Sequence, residues 1–215
     1  MQDHERAEQP RRRRRARASR RVPGVRAVKA GPNFGRFVEA FRRLQDLAVS
    51  THAPDDVVDQ AIAQAEALGE LLEPYQVGEG KSPAGFNVDI PGRGSLLLPP
   101  WTIEKFDADG VRERGHFRRY HLGGNGAVHG GTIPLLFDDL FGMVIHASGR
   151  PIARTGYLHV NYRKITPLWD ELVVEGRVDS VDGRKAFCSA ELRDLDGTVL
   201  ADSEALMIEL LPGQP

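Results

Sequence analysis

The sequence predicts an α+β protein in which a curved antiparallel sheet wraps around one central helix, preceded by a helical N-terminal extension. Three observations lead there. Residues 132–147 form a single 16-residue segment with apolar side chains around most of its circumference: Ile133, Leu136, Phe137, Leu140, Phe141, Val144 and Ile145. A helix of that kind must be covered on most sides. Strand-type runs flank it on both sides. The last three of these runs are separated by Asp182-Gly183 and Asp196-Gly197, dipeptides that turn a chain tightly and so predict an antiparallel meander.

In chain order, residues 1–31 predict a disordered basic tail. Residues 1–29 carry 11 of the 29 Lys and Arg but only 3 of the 30 Asp and Glu, and offer almost nothing apolar to bury. A basic arm therefore precedes an acidic body. Ser19-Arg20-Arg21 has the form of a twin-arginine signal, but the apolar stretch that export requires does not follow it. Residues 34–49 have Phe34, Phe37, Val38, Phe41, Leu44 and Ala48 at helical spacing. Residues 54–72 predict a second helix, with Pro54 and Asp55-Asp56 at its start and a stripe from Val57 to Leu72. These two helices and the Gly- and Pro-rich stretch 73–100, read as a linker, make up an extension spanning 32–100, placed to cap the main fold or line a substrate channel. The main domain is expected over 101–215. Its strands fall near 101–106, 111–120, 152–164, 171–181, 184–193 and 199–210, with a glycine-rich stretch at 121–131 before the central helix.

Composition excludes several classes. One cysteine, Cys188, leaves no disulfide framework and no multi-cysteine metal site; a reduced, cytoplasmic setting is expected. No apolar run approaches the roughly 18–20 residues of a membrane span. The glycines at 123–131 lack the Gly-Lys-Ser/Thr ending of a phosphate-binding loop. No metal-ligand constellation stands out.

The chemistry concentrates around the start of the central helix. Gly130-Gly131 sits where backbone N–H groups have no intrahelical partner and face the positive end of the helix dipole. Glycine also admits close approach of a substrate carbonyl. The Gly130 amide is the candidate oxyanion donor. Asp138 and Asp139 follow in an apolar helix, where burial would raise a carboxyl pKa toward the range of a general base. Sequence chemistry alone does not separate the two.

Gly126-Ala127-Val128-His129-Gly130-Gly131, with Asp138 nine residues after His129, resembles the phenylacetate-pathway type of hotdog-fold acyl-CoA thioesterase. Thr155, Asn161-Tyr162-Arg163-Lys164 and Asp182-Gly183-Arg184-Lys185 extend the resemblance toward thioesterase superfamily members four and five, over about residues 110–211. The resemblance implies a hotdog fold and hydrolysis of an acyl-CoA without a cofactor, coenzyme A being part of the substrate. It selects Asp138 as base or nucleophile and makes Asp139 a polar-face or supporting residue. It gives the Thr155 hydroxyl a part in orienting water. It places His129 in the site, in chemistry or as a brace for the loop. Gly131 then adjoins bound substrate, and Arg163, Lys164, Arg184 and Lys185 are candidates for the phosphates of coenzyme A. Many phenylacetate-type enzymes carry an Asn six residues before the His; here that position is Gly123.

A homodimer or dimer of dimers is implied as well. Gly130 and Asp138 lie eight residues apart, about 12 Å along a helix, so the two would serve one thioester only across a two-fold axis. The alternatives are a hotdog hydratase or dehydratase acting on an enoyl thioester, and an acyl-CoA-binding regulator whose basic arm engages nucleic acid. The Arg run precedes both helices and neither shows a recognition face, so nucleic acid is not an expected partner.

Overall fold

The computed structural model describes residues 28–214; the basic tail read over 1–31 falls almost wholly outside them. Three α-helices and eight strands follow: α1 (Phe34–Ala48), α2 (Asp55–Leu72), β1 (Thr102–Asp107), β2 (Gly110–Gly115), β3 (Leu122–Gly124), β4 (Ala127–Val128), α3 (Thr132–Ala147), β5 (Ala153–Tyr162), β6 (Leu172–Asp182), β7 (Lys185–Asp194) and β8 (Val199–Glu209). Six of the strands form one antiparallel sheet in the order β1-β2-β6-β7-β8-β5. The meander β6-β7-β8 is where the Asp-Gly turns predicted it, with Gly183 and Gly197 both at positive φ. Because α3 lies between β4 and β5 in sequence, the strand that follows it, β5, crosses to the far edge of the sheet.

The sheet wraps α3. Ile133, Leu136, Phe137, Leu140, Phe141, Val144 and Ile145 are buried against inward-facing residues of the strands, among them Val111, Leu172, Val174, Leu192, Ala201 and Met207. Gly176 lets the helix come close: a Cβ there would stand 3.0 Å from Leu140 Cδ2. The helix ends at Ala147, and Gly149 leaves in the left-handed region at φ 75°, a common helix stop.

The extension behaves differently from its sequence pattern. α1 docks through one face, with Val38 and Arg42 buried. The Arg42 guanidinium donates to the carbonyls of Pro91 and Ser95, each at 2.8 Å. Arg118 pairs with Glu39 at 2.6 Å and with Asp46 at 2.7 Å, fastening α1 to the segment after β2. By contrast α2 buries none of its residues. Its stripe, including Val58, Ile62 and Leu72, faces outward, so among the described residues α2 neither caps the sheet nor lines a channel. The 73–100 stretch holds two short 3₁₀ turns, Glu73–Tyr75 and Pro91–Gly94, and packs against the domain. Its Arg93 reaches Asp139 of α3 in a two-pronged ion pair at 2.8 and 2.6 Å.

Candidate active site

The glycine-rich stretch is a small hairpin. β3 and β4 pair antiparallel, joined by Asn125 and Gly126 at φ 48° and 76°, the geometry for which Asn-Gly is suited. Asn125 is thus a turn residue at an exposed tip. Gly123 has a steric reason to be glycine: a Cβ there would stand 2.7 Å from His129 Cα. An Asn at that position, as in many phenylacetate-type enzymes, does not fit this backbone.

The hairpin delivers His129 and Gly130 to the N-terminus of α3, and the hydrogen bonds there leave one group over. The His129 N–H donates to His121 O at 2.7 Å, and the His129 carbonyl accepts from Thr132 N–H at 2.9 Å. His129 Nδ1 accepts from Gly131 N–H at 3.0 Å. A neutral imidazole accepting at Nδ1 carries its proton on Nε2, so His129 braces the loop and still exposes a donor. The Gly130 carbonyl accepts from the Tyr162 hydroxyl at 2.7 Å. Every polar backbone group from His129 N–H to Gly131 N–H is thereby engaged except the Gly130 N–H, which has no partner among the described residues. Gly130 and Tyr162 border a cleft of about 400 Å³, together with Ile133, Arg163, Lys164 and Ile165.

Asp138 is not buried in the single chain, contrary to the expectation for an apolar helix. It is exposed, as are Gly131 about two turns before it and Gly142 about one turn after it. The sheet covers the other faces of α3 and leaves this stripe open beside edge strand β5. Asp138 Oδ1 accepts from the Thr155 hydroxyl of β5 at 2.7 Å. Asp139, about 100° further round the helix, turns to Arg93 instead.

The predicted residues therefore fall into two groups at opposite ends of β5. One end holds Gly130, Gly131 and His129, with Arg163 and Lys164 just past Tyr162. The other holds Asp138 and Thr155. It also holds the β6–β7 turn with Arg184 and Lys185, since Lys185 pairs with Ile208, the residue that also pairs with Arg154. Arg163 is engaged by Asp202, which holds that carboxyl below its usual range, and Arg184 donates to the Glu209 carbonyl at 3.0 Å.

Three residues with roles at or next to this site carried no assignment from sequence. Tyr162 lies within Asn161-Tyr162-Arg163-Lys164, where only the two basic residues carried a role. Arg93 sat in a Gly-Arg-Gly turn without any periodic signal. Glu113 was detectable in principle, because alternation along β2 puts it on the same face as Val111. It is buried beside Arg93 and Asp139, and burial, reinforced by the Asp139 charge and opposed by Arg93, pushes its carboxyl up to about 8. Cys188 is buried and its thiol is pushed up to about 12, so it is not a nucleophile near neutral pH. A larger depression of about 530 Å³ lies on the sheet face turned away from α3, among paired charges such as Arg112, Glu175 and Asp202. Arg163 borders both this depression and the Gly130 cleft.

Comparison with known proteins fits these features. Residues 125–201 match the family model described as thioesterase superfamily. A crystal structure of a thioesterase superfamily protein superposes with a TM-score of 0.73 at 26% identity, covering 84% of this chain and 92% of that one. The fold is the hotdog fold, shared with that thioesterase superfamily protein. The hotdog domain is also similar to acyl-coenzyme A thioesterase THEM4 of Mus musculus, 35% identical over 97 residues, which are 44% of this chain and 41% of that protein. The Xenopus laevis protein of the same name is 32% identical over 95 residues, 43% of this chain and 42% of its own length. The match thus spans about two fifths of these curated relatives. Among the described residues no helix is long and apolar enough to cross a membrane, and no group of three or more His, Cys, Asp or Glu is gathered to hold a metal ion.

Proposed function

We propose that this protein is an acyl-CoA thioesterase that hydrolyses its substrate to a free acid and coenzyme A, with no cofactor beyond the substrate's own coenzyme A. The observation that carries the reading is the unpartnered Gly130 N–H at the N-terminus of α3, bordering an open cleft. It is a preorganised donor for the oxygen of a thioester carbonyl, where negative charge develops as the carbonyl carbon becomes tetrahedral. The helix dipole adds to the same stabilisation.

Asp138 supplies the second element. With Oδ1 held by Thr155, its remaining oxygen is available to take a proton from water, or to attack the carbonyl carbon itself. In the general-base form, the water oxygen bonds to the carbonyl carbon, the C–S bond breaks, and the proton held by Asp138 passes to the departing sulfur. Arg163, Lys164, Arg184 and Lys185 are the groups for the coenzyme A phosphates.

These elements operate across a homodimer. Within one chain, Tyr162 beside Gly130 and Thr155 beside Asp138 are seven residues apart on β5, roughly 20 Å of strand. One thioester does not reach both. β5 is an edge strand, with Arg154 to Tyr157 exposed, and the open stripe of α3 lies alongside it. A two-fold pairing of β5 with its copy brings the Gly130 end of one chain to the Asp138 end of the other, and buries Asp138. It also unites Arg163-Lys164 of one chain with Arg184-Lys185 of the other.

Thiol release measured over an acyl-CoA chain-length series tests the activity. Asp138→Asn is expected to lower kcat by about 10²–10⁴-fold, the usual range for a positioned base. No thiol release from any chain length by the wild-type protein, or full activity in Asp138→Asn, sinks the proposal.

A further inference from the structure

Resting on the reading of Gly130 as oxyanion donor, we infer that Tyr162 is a positioning residue that fixes the direction of that donor through the Gly130 carbonyl. Gly130 is a poor anchor for its own amide. It has no side chain, it is exposed, and a Cβ there would meet nothing closer than the Tyr162 ring and hydroxyl at 3.7 Å. Glycine explores more backbone conformations than any other residue, so an N–H on Gly130 points in one direction only if the peptide units on either side are held.

The unit joining His129 to Gly130 is held through the His129 carbonyl, which accepts from Thr132 N–H. The unit joining Gly130 to Gly131 is held at both ends: its N–H by His129 Nδ1 and its carbonyl by the Tyr162 hydroxyl. Of these contacts only the Tyr162 bond comes from outside the 129–132 loop. The others are made by neighbours in sequence and move with the loop as a unit. Tyr162 is the last residue of β5, a strand bonded to β8 along its length, so its hydroxyl ties the loop to the sheet.

The hydroxyl has one proton, and that proton is donated to the Gly130 carbonyl. Tyr162 therefore acts through the backbone, not as a second donor to the substrate oxygen. Because β5 also carries Thr155, one strand sets both groups: the donor at its end and, near its start, the hydroxyl that holds the carboxylate.

The test is Tyr162→Phe, which removes one oxygen from a side chain more than half exposed and leaves the ring in place. Three quantities are measured: kcat and KM for an acyl-CoA, the affinity for a coenzyme A thioether that lacks the carbonyl oxygen, and amide hydrogen exchange at Gly131 by NMR. A directly contacting oxyanion donor is worth about 10²–10³ in kcat; loosening one is expected to cost about ten-fold. KM and thioether affinity stay within about two-fold, and exchange at Gly131 accelerates because its peptide unit has lost one of two holds. Unchanged kcat with unchanged exchange overturns the inference. Equal losses of kcat and thioether affinity also overturn it, since they mark a wall of the cleft. If the wild-type protein hydrolyses no thioester, the functional proposal falls on its own, and the exchange at Gly131 still decides whether Tyr162 holds the loop.

Discussion

Replacing Glu113 with Gln should remove a pH dependence of stability that the fold builds into itself. Glu113 faces α3 from β2, paired across the ladder with fully buried Val174, and only 3% of its surface is exposed. Burial pushes its carboxyl up to about 8 in the folded chain, from 4.5 for a solvated glutamate. The unfolded chain releases the proton first as pH rises, so between pH 4.5 and 8 the folded state binds more protons than the unfolded one. Stability from this group is complete below about pH 4.5, is lost as pH rises toward 8, and is flat above. At roughly 1.4 kcal/mol per pH unit, the loss across that window is on the order of 3–5 kcal/mol, a large share of an ordinary domain's 5–15 kcal/mol. Gln keeps the shape and carries no titrating proton. Urea unfolding at half-unit steps from pH 5 to 9 should give a wild-type stability that falls with pH relative to Glu113→Gln. The two proteins should come closest near pH 5, and the variant should gain by several kcal/mol at pH 9. Parallel profiles would show that Glu113 keeps an ordinary carboxyl and that its burial against α3 has been misjudged.

The other predictions concern the helix that carries the site. Asp139→Asn leaves Arg93 without its ion-pair partner in a largely buried position, with an expected cost of about 2–4 kcal/mol in unfolding free energy and little change in kcat; it also moves the Glu113 transition to lower pH, because the Asp139 charge no longer opposes ionisation. If Asp139→Asn proves more damaging to kcat than Asp138→Asn at equal stability, the two carboxylates have been assigned the wrong way round. The shared site is tested by refolding a mixture of Gly130→Pro, which has lost the amide donor, with Asp138→Asn. Each alone is nearly inactive, whereas mixed dimers hold one intact site, so activity should return to roughly a quarter of wild type for random pairing. Mixed dimers that are shown to form and stay inactive would rule out a site shared between chains.

The sequence by itself determined the three helices and the six strands of the main sheet in their order, but not the β3–β4 hairpin, which read only as a glycine-rich stretch, nor that β2 stops at Gly115 instead of running on to residue 120. The central helix occupies Thr132–Ala147 because its apolar residues repeat at helical spacing and a glycine beyond Ser148 ends it. The meander β6-β7-β8 follows from alternating strands joined at Asp-Gly. These are local properties, written in residues a few positions apart. Contacts between distant segments are what only the tertiary structure supplied. Periodicity could not say which stripe of α3 the sheet leaves uncovered, so Asp138 read as buried and stands exposed beside β5. It could not say that α2, for all its amphipathic pattern, finds no cover among the described residues. Arg93 and Asp139 are 46 residues apart, and Tyr162 and Gly130 are 32 apart. No spacing rule links such pairs, because a hydrogen bond depends on where two backbones are brought in space, and that is decided by how the whole sheet closes around the helix.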